Sequence, residues 1–176
     1  MVKDIFDIVD DNDLVVSSAP RDEVHRRALM HRASHVIIFS RQLPRKILLQ
    51  KRSALKDKYP NLYTTSCSGH VDAGETYEIA AVREMKEETG LEVGASDLKY
   101  IGKISACRET GQEFTCVYEL EVGLDTLFNP PPDEVASLDW VGVECFENML
   151  ACTPELFTPS FKKVYSFYLS KIRGDV

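Results

Sequence analysis

The chain has 176 residues, room for one domain of ordinary size and not for two. Its composition, 44% hydrophobic and 28% charged, is that of a soluble globular protein with a substantial core. A formal charge of −7 and a pI near 5.1 exclude tight, sequence-independent binding to nucleic acid polymer or to an anionic membrane, so an anionic ligand would need a local basic pocket or a metal ion.

No run approaches the ~20 apolar residues of a membrane span, and Met1-Val2-Lys3-Asp4 does not open a signal peptide, so the expected compartment is cytoplasmic. The five cysteines (Cys67, Cys107, Cys116, Cys145, Cys152) are an odd number without a C-x-x-C pair. They read as reduced, partly buried thiols rather than a disulfide framework or a zinc site.

In chain order, two apolar runs within residues 4–17 flank Asp10-Asp11-Asn12-Asp13 and predict a β-hairpin. Arg21 to Met30 is a short helix candidate. His35–Ser40 and Lys46–Lys51 are β-rich and separated by a turn at Pro44. After a loop through Pro60 and Gly69, Thr76 to Thr89 is the strongest helix pattern in the chain, stopped by Gly90. Strands are expected at 98–107 and 113–123 around a turn holding Gly111, and again at Leu138–Val143. Pro130-Pro131-Pro132 is a stiff loop, and Phe161–Ile172 has an apolar face at helical spacing. Strands on both sides of a central helix, with a closing helix, predict an α+β or α/β/α arrangement.

The central helix carries the chemistry. At about 100° per residue, Ile79, Ala81, Val82 and Met85 fall on one side and are expected to face the core. Arg83, Glu84, Glu87 and Glu88 fall on the other, the three glutamates at i, i+3 and i+4. Like charges at that spacing repel, and carboxylates in the last turns oppose the helix dipole, a local cost of about 0.3–1 kcal/mol each. Lys86 and Arg83 offset part of it. A solvated acidic face would not need such a placement, whereas a hard cation would use it, and Mg²⁺ is held by a few carboxylates plus substrate phosphate oxygens.

From Gly69 the chain runs Gly69, five residues, Glu75, seven residues, then Arg83-Glu84-Met85-Lys86-Glu87-Glu88-Thr89-Gly90-Leu91. This resembles the Nudix hydrolase box over residues 69–91, with all nine specified positions matching. The resemblance implies a single Nudix domain spanning 1–176, folded as an α/β/α sandwich with a mixed sheet. It implies that Glu84, Glu87 and Glu88 hold divalent metal, Mg²⁺ or Mn²⁺, joined by the backbone oxygen of Gly69. Arg83 and Glu75 would brace loop and helix, and Gly90 would end the helix. The implied reaction is attack of water on a phosphorus of a small diphosphate compound, with Glu87 a candidate base and Arg83 and Glu84 in the catalytic group. Nudix dimers are common, which leaves a homodimer open.

A second resemblance lies outside the box. Lys51-Arg52-Ser53-Ala54-Leu55-Lys56, Tyr59-Pro60-Asn61-Leu62-Tyr63, Asp133-Glu134-Val135, Trp140 and Phe157-Thr158-Pro159-Ser160-Phe161 are similar to type 1 isopentenyl-diphosphate isomerases. There the positions matching Arg52 and Lys56 grip the diphosphate. Departures argue against isomerisation: Ser68 stands where the isomerase nucleophile is a cysteine, and Cys67 is one residue early, on the opposite face of a strand. His70 matches one isomerase metal ligand, His31 a second, and His25 lies out of register by one, while Gly111-Gln112-Glu113 keeps only the second of two glutamates. Three histidines within eleven residues, His25, His31 and His35, are read as structural rather than as a zinc site. The expected activity is therefore hydrolysis, with isomerisation or a non-catalytic ligand-binding module as alternatives. Substrate selectivity is expected in the 108–113 turn and the 124–135 loop.

Overall fold

The computed structural model describes residues 4–174; the amino-terminal Met1-Val2-Lys3 weighed above for a leader lies outside them. β1 (Ile5–Val9) and β2 (Val15–Pro20) form the expected hairpin, longer at its end than predicted. The Asp10 carboxylate accepts the N–H groups of Asn12 and Leu14, each at 2.9 Å, which closes the turn. α1 (Arg21–Arg27) is shorter than predicted because Ala28 adopts a left-handed conformation, φ 50°, and its N–H returns to carbonyls of the last turn. The chain is thereby released early enough for β3 to span His31–Ser40, four residues ahead of the expected start.

β4 (Lys46–Arg52), β5 (Tyr63–Thr64), β6 (Cys67–His70), β7 (Lys99–Ile104), β8 (Glu113–Val122) and β9 (Val135–Gly142) complete a seven-stranded sheet. β3 lies at its centre, parallel to β8 and antiparallel to β4 and β6, so the sheet is mixed. Central position explains the unbroken apolar run at 36–39, since such a strand is covered on both faces. Val36 and Ile38 join Leu48, Tyr118 and Leu120 beneath α2 (Tyr77–Thr89). Ile37 and Phe39 join Ile47, Leu49 and Val117 beneath α3 (Val143–Cys152) and α4 (Pro159–Arg173). The result is an α/β/α sandwich.

α2 begins as its sequence requires. The Thr76 hydroxyl accepts the Ile79 N–H at 3.3 Å, and Gly90, at φ 73°, returns its N–H to the Lys86 carbonyl. The buried stripe is Ala80, Ala81, Met85, Glu88 and Thr89, whereas Ile79 is 56% exposed. This corrects the expectation that Ile79 faces the core: the helix is rotated to bring Glu84 and Glu88 against β6. α3, packed beneath Phe157 and Phe161 through buried Phe146, was not foreseen, because its register is legible only once its partners are known.

Candidate active site

Strand β6 and helix α2 meet at Gly69. A methyl group built on Gly69 would fall on the carboxylate of Glu84, so only glycine lets that carboxylate lie here. One residue earlier, the Ser68 N–H donates to Glu88 Oε2 at 2.9 Å, and one residue later the His70 carbonyl accepts from Arg83 Nη2 at 2.9 Å. Arg83 holds Glu75 through two bonds of 3.0 and 2.9 Å, Glu84 at 2.7 Å and Glu87 at 3.1 Å. Glu75 in turn accepts the Asp72 N–H at 3.0 Å, which closes the loop leading to α2. The guanidinium is thus the hub on which loop, strand and helix are fixed, and Glu75 above all keeps it charged.

The three glutamates, placed together by the helical wheel, differ widely in exposure. Glu88 turns inward and is buried, Glu84 lies on Gly69, and the Glu87 side chain is 58% exposed. Burial first, and then the charge of Glu88, push Glu84 up to about 8 despite the Arg83 bond. Burial likewise raises Glu88, opposed by the Ser68 N–H. Two desolvated carboxylates at close quarters, on a glycine cradle that a side chain would fill, fit a divalent cation.

A cavity of about 750 Å³ wraps around the edge of β6 and is lined by Ser68, Gly69, Arg83, Glu84, Glu87 and Glu88. Arg52 and Lys56 line it too, so the structure brings both expected diphosphate-gripping bases to the glutamates. Lys56 lies 3.3 Å from Glu134, and Arg52 Nε donates to the Lys58 carbonyl at 3.1 Å. Burial lowers Arg52 somewhat, but a guanidinium stays charged. Glu134 also lines the cavity; the sequence carried it only as part of a longer resemblance, with nothing to show that it would face Glu88. Cys67 is fully buried beside Met85, its thiol pushed well up by burial, while Ser68 faces the cavity.

The fold groups the histidines differently from their order in the chain, with His70 and not His35 beside His25 and His31. The ligand atoms of His25, His31 and His70 lie within 4.8 Å of one another, the one such group of three among the described residues. Glu113 Oε1 stands 3.2 Å from His70 Nε2 and 3.6 Å from His31 Nε2. His31 Nδ1 bonds the Leu29 carbonyl at 2.8 Å, which turns Nε2 toward Glu113. That atom is buried without a hydrogen-bond partner. Burial raises Glu113, yet the His31 and His70 rings beside it outweigh that and hold the carboxyl well below its usual range. Burial lowers His25 to about 4 and also lowers His70, against the pull of Glu113, which favours the neutral rings that ligate metals. Phe6 caps the group, 4.6 Å from His70 between ring centroids. Spacing alone does not join its members, which come from α1, β3, β6 and β8, although the isomerase resemblance had already linked His31, His70 and Glu113. His35, by contrast, is buried with Nδ1 2.8 Å from the Thr65 hydroxyl and stands outside the trio.

Fold and site together define a hydrolase of diphosphate linkages. The chain belongs to the NUDIX domain family, whose model matches residues 29–160. It is 34% identical over 160 residues, 90% of each chain, to the isopentenyl-diphosphate Delta-isomerase of Nocardia farcinica. It is 32% identical to the prenyl-diphosphate phosphatase of Methanosarcina mazei, covering 88% of this chain and 89% of that one. Among solved structures it is similar to DR0079 from Deinococcus radiodurans, with a TM-score of 0.72 and 28% identity over 85% of this chain and 90% of the other.

Proposed function

We propose that the protein hydrolyses a small diphosphate compound with Mg²⁺ or Mn²⁺ held by Glu84, Glu87, Glu88 and the backbone oxygen of Gly69. The observation that carries this reading is the contact of Glu84 with Gly69 beside buried Glu88, in a cavity that also holds Arg52 and Lys56. When bound, a divalent ion would neutralise phosphate charge and acidify a water. Arg83 orients Glu84 and Glu87, and the Ser68 N–H orients Glu88. Glu87, the most exposed of the three, is placed to take the proton of the attacking water. Free cysteines suit a reducing, cytoplasmic setting.

Hydrolysis is favoured over isomerisation because Ser68, not a thiol, faces the cavity. The test is a panel of diphosphate compounds with Mg²⁺, read as phosphate or monophosphate release, beside an assay for isopentenyl diphosphate isomerisation. Hydrolysis that survives Cys67→Ala supports the reading. Isomerisation that disappears in Cys67→Ala would sink it.

Arg52 and Lys56 are expected to contribute unequally. Arg can bind phosphate through two parallel bonds and Lys cannot. Arg52→Ala should cost about 1.5–3 kcal/mol in kcat/KM and Lys56→Ala about 1, mainly through KM. Steady-state kinetics decide it, and unchanged values in both would make these bases mere surface.

The histidine group would hold a second ion of transition-metal type, three imidazole nitrogens and the Glu113 carboxylate being the donor set. Zn²⁺ or Mn²⁺ titrated by calorimetry into the metal-free protein should lose at least about tenfold affinity at one site in His70→Ala. An identical isotherm would leave the cluster a structural one.

A further inference from the structure

The stretch that the family model matches begins at residue 29, after β1, β2 and α1. The hairpin that precedes it nevertheless holds the loop 71–75, which leads into α2. The Ala73 N–H donates to the Ile5 carbonyl at 2.8 Å, the Gly74 N–H donates to Asp7 Oδ2 at 3.0 Å, and Phe6 bridges to Asp72 in antiparallel fashion. From the side of α2 the same loop is held by Glu75 and Arg83, the brace of the glutamates. Loop position is therefore shared between the helix and a segment outside the matched domain.

A two-stranded hairpin is marginally stable by itself, so it must be tied to the domain. The tie is Asp13, in the turn between β1 and β2. Its φ of 64° is left-handed, a conformation that Asp tolerates better than most residues, and its side chain is only 7% exposed. Oδ1 accepts Arg32 Nε at 2.6 Å, while Oδ2 accepts the Tyr77 hydroxyl at 2.9 Å and Lys103 Nζ at 2.6 Å. Burial raises the Asp13 carboxyl, but the bonds from Lys103, Arg32 and Tyr77 outweigh it and keep it charged.

Those partners belong to β3, α2 and β7, all inside the matched stretch. Two of them lead on to the loop. The Arg32 carbonyl accepts the Val71 N–H at 3.0 Å, where the chain leaves β6. Tyr77 opens α2, and its carbonyl accepts the Ser34 hydroxyl at 2.7 Å. Charge-assisted bonds to a buried carboxylate are strong, and its removal would leave Arg32 and Lys103 together without their counter-charge. Asp13 does not line the cavity, so it can act on the chemistry only through other residues.

We infer that Asp13 is a positioning residue for the reaction: it locks the amino-terminal hairpin onto the loop 71–75 and thereby fixes the Glu75–Arg83 brace of the glutamates. This rests on the diphosphate reading above.

The test uses three variants of the full chain. Asp13→Ala removes every side-chain bond, Asp13→Asn keeps size and tolerance of the left-handed backbone but not the charge, and Val164→Ala truncates the core beneath α4 as a control for lost stability. Amide hydrogen exchange, Mn²⁺ affinity at the site that Glu84→Gln removes, and kinetics with a confirmed substrate are measured on each. In Asp13→Ala the amides of Val71, Ala73 and Gly74 are expected to exchange about tenfold faster or more, while those of β4 and β9 keep their rates. Mn²⁺ affinity should fall about threefold or more, and kcat about tenfold with KM within about twofold. Asp13→Asn should lie between Asp13→Ala and wild type, and it carries the comparison if Asp13→Ala does not fold. Val164→Ala should lower Tm and leave loop exchange, Mn²⁺ affinity and kcat unchanged. Loop amides that stay protected in both Asp13 variants, or a loss of kcat that Val164→Ala matches, would overturn the inference and leave diphosphate hydrolysis standing. A wild type that hydrolyses no diphosphate while its loop still loosens in Asp13→Ala would overturn the hydrolytic reading and leave the lock in place.

Discussion

Replacing Glu84 by Gln is expected to lower turnover about 10³-fold, equivalent to about 4 kcal/mol of transition-state stabilisation, while making the metal-free protein more stable at alkaline pH. The two effects share one cause. Glu84 is driven up to about 8 by burial and by Glu88. In an unfolded chain it would titrate near 4.5. Between those values the native state binds a proton that the unfolded state has lost, so native stability falls as pH rises through that window. The glutamine amide has no proton to lose in this range and escapes the penalty. Thermal unfolding in EDTA from pH 5.5 to 8.5 should therefore show a falling Tm for the wild type and a flatter profile for Glu84→Gln. Added Mg²⁺ should restore the wild type most at the upper end, where the carboxylate is free to bind. Near-normal turnover, or pH profiles that run in parallel, would remove Glu84 from the metal site.

Gly69→Ala is expected to lower kcat about 10²-fold or more with a modest change in Tm. The added methyl falls on the Glu84 carboxylate and not on backbone, so the side chain can swing aside and the fold survives. Swinging aside breaks the bond of Glu84 to Arg83 at 2.7 Å and moves the carboxylate off the strand whose Ser68 N–H orients Glu88. Loss should appear in kcat and in Mn²⁺ affinity together, because the position of the ion is what changes. Kinetics with a confirmed substrate and a Mn²⁺ titration measure both. A variant of wild-type activity would show that the seat of the Glu84 carboxylate on Gly69 has no part in the chemistry.

Much of this was legible in the chain. The helix 77–89 is declared by its Thr76 cap, its Gly90 stop and the spacing of its glutamates, all local features that act within a few residues. The box positions from Gly69 to Leu91 carry their own geometry, because loop, brace and helix lie within 23 residues of sequence. The exclusion of Cys67 from the cavity followed from strand alternation alone, and the structure places Cys67 in the core and Ser68 in the cavity accordingly.

What only the tertiary structure decided was whatever depends on distant segments coming together. Ile79 sits outward and Glu88 inward because the rotation of α2 is set by its contact with β6, which a helical wheel does not contain. His25, His31, His70 and Glu113 are separated by up to 88 positions; the isomerase resemblance linked three of them with His25 out of register, and the parallel pairing of β3 with β8, His31 against Glu113, decided that all four meet. The make-up of the cavity wall is of the same kind, since its residues come from six or more separate stretches of chain. Local signals determine a helix and its ligands because capping and periodicity act over one or two turns. A pocket is a meeting of surfaces, and burial and register between strands far apart in sequence determine which side chains it receives.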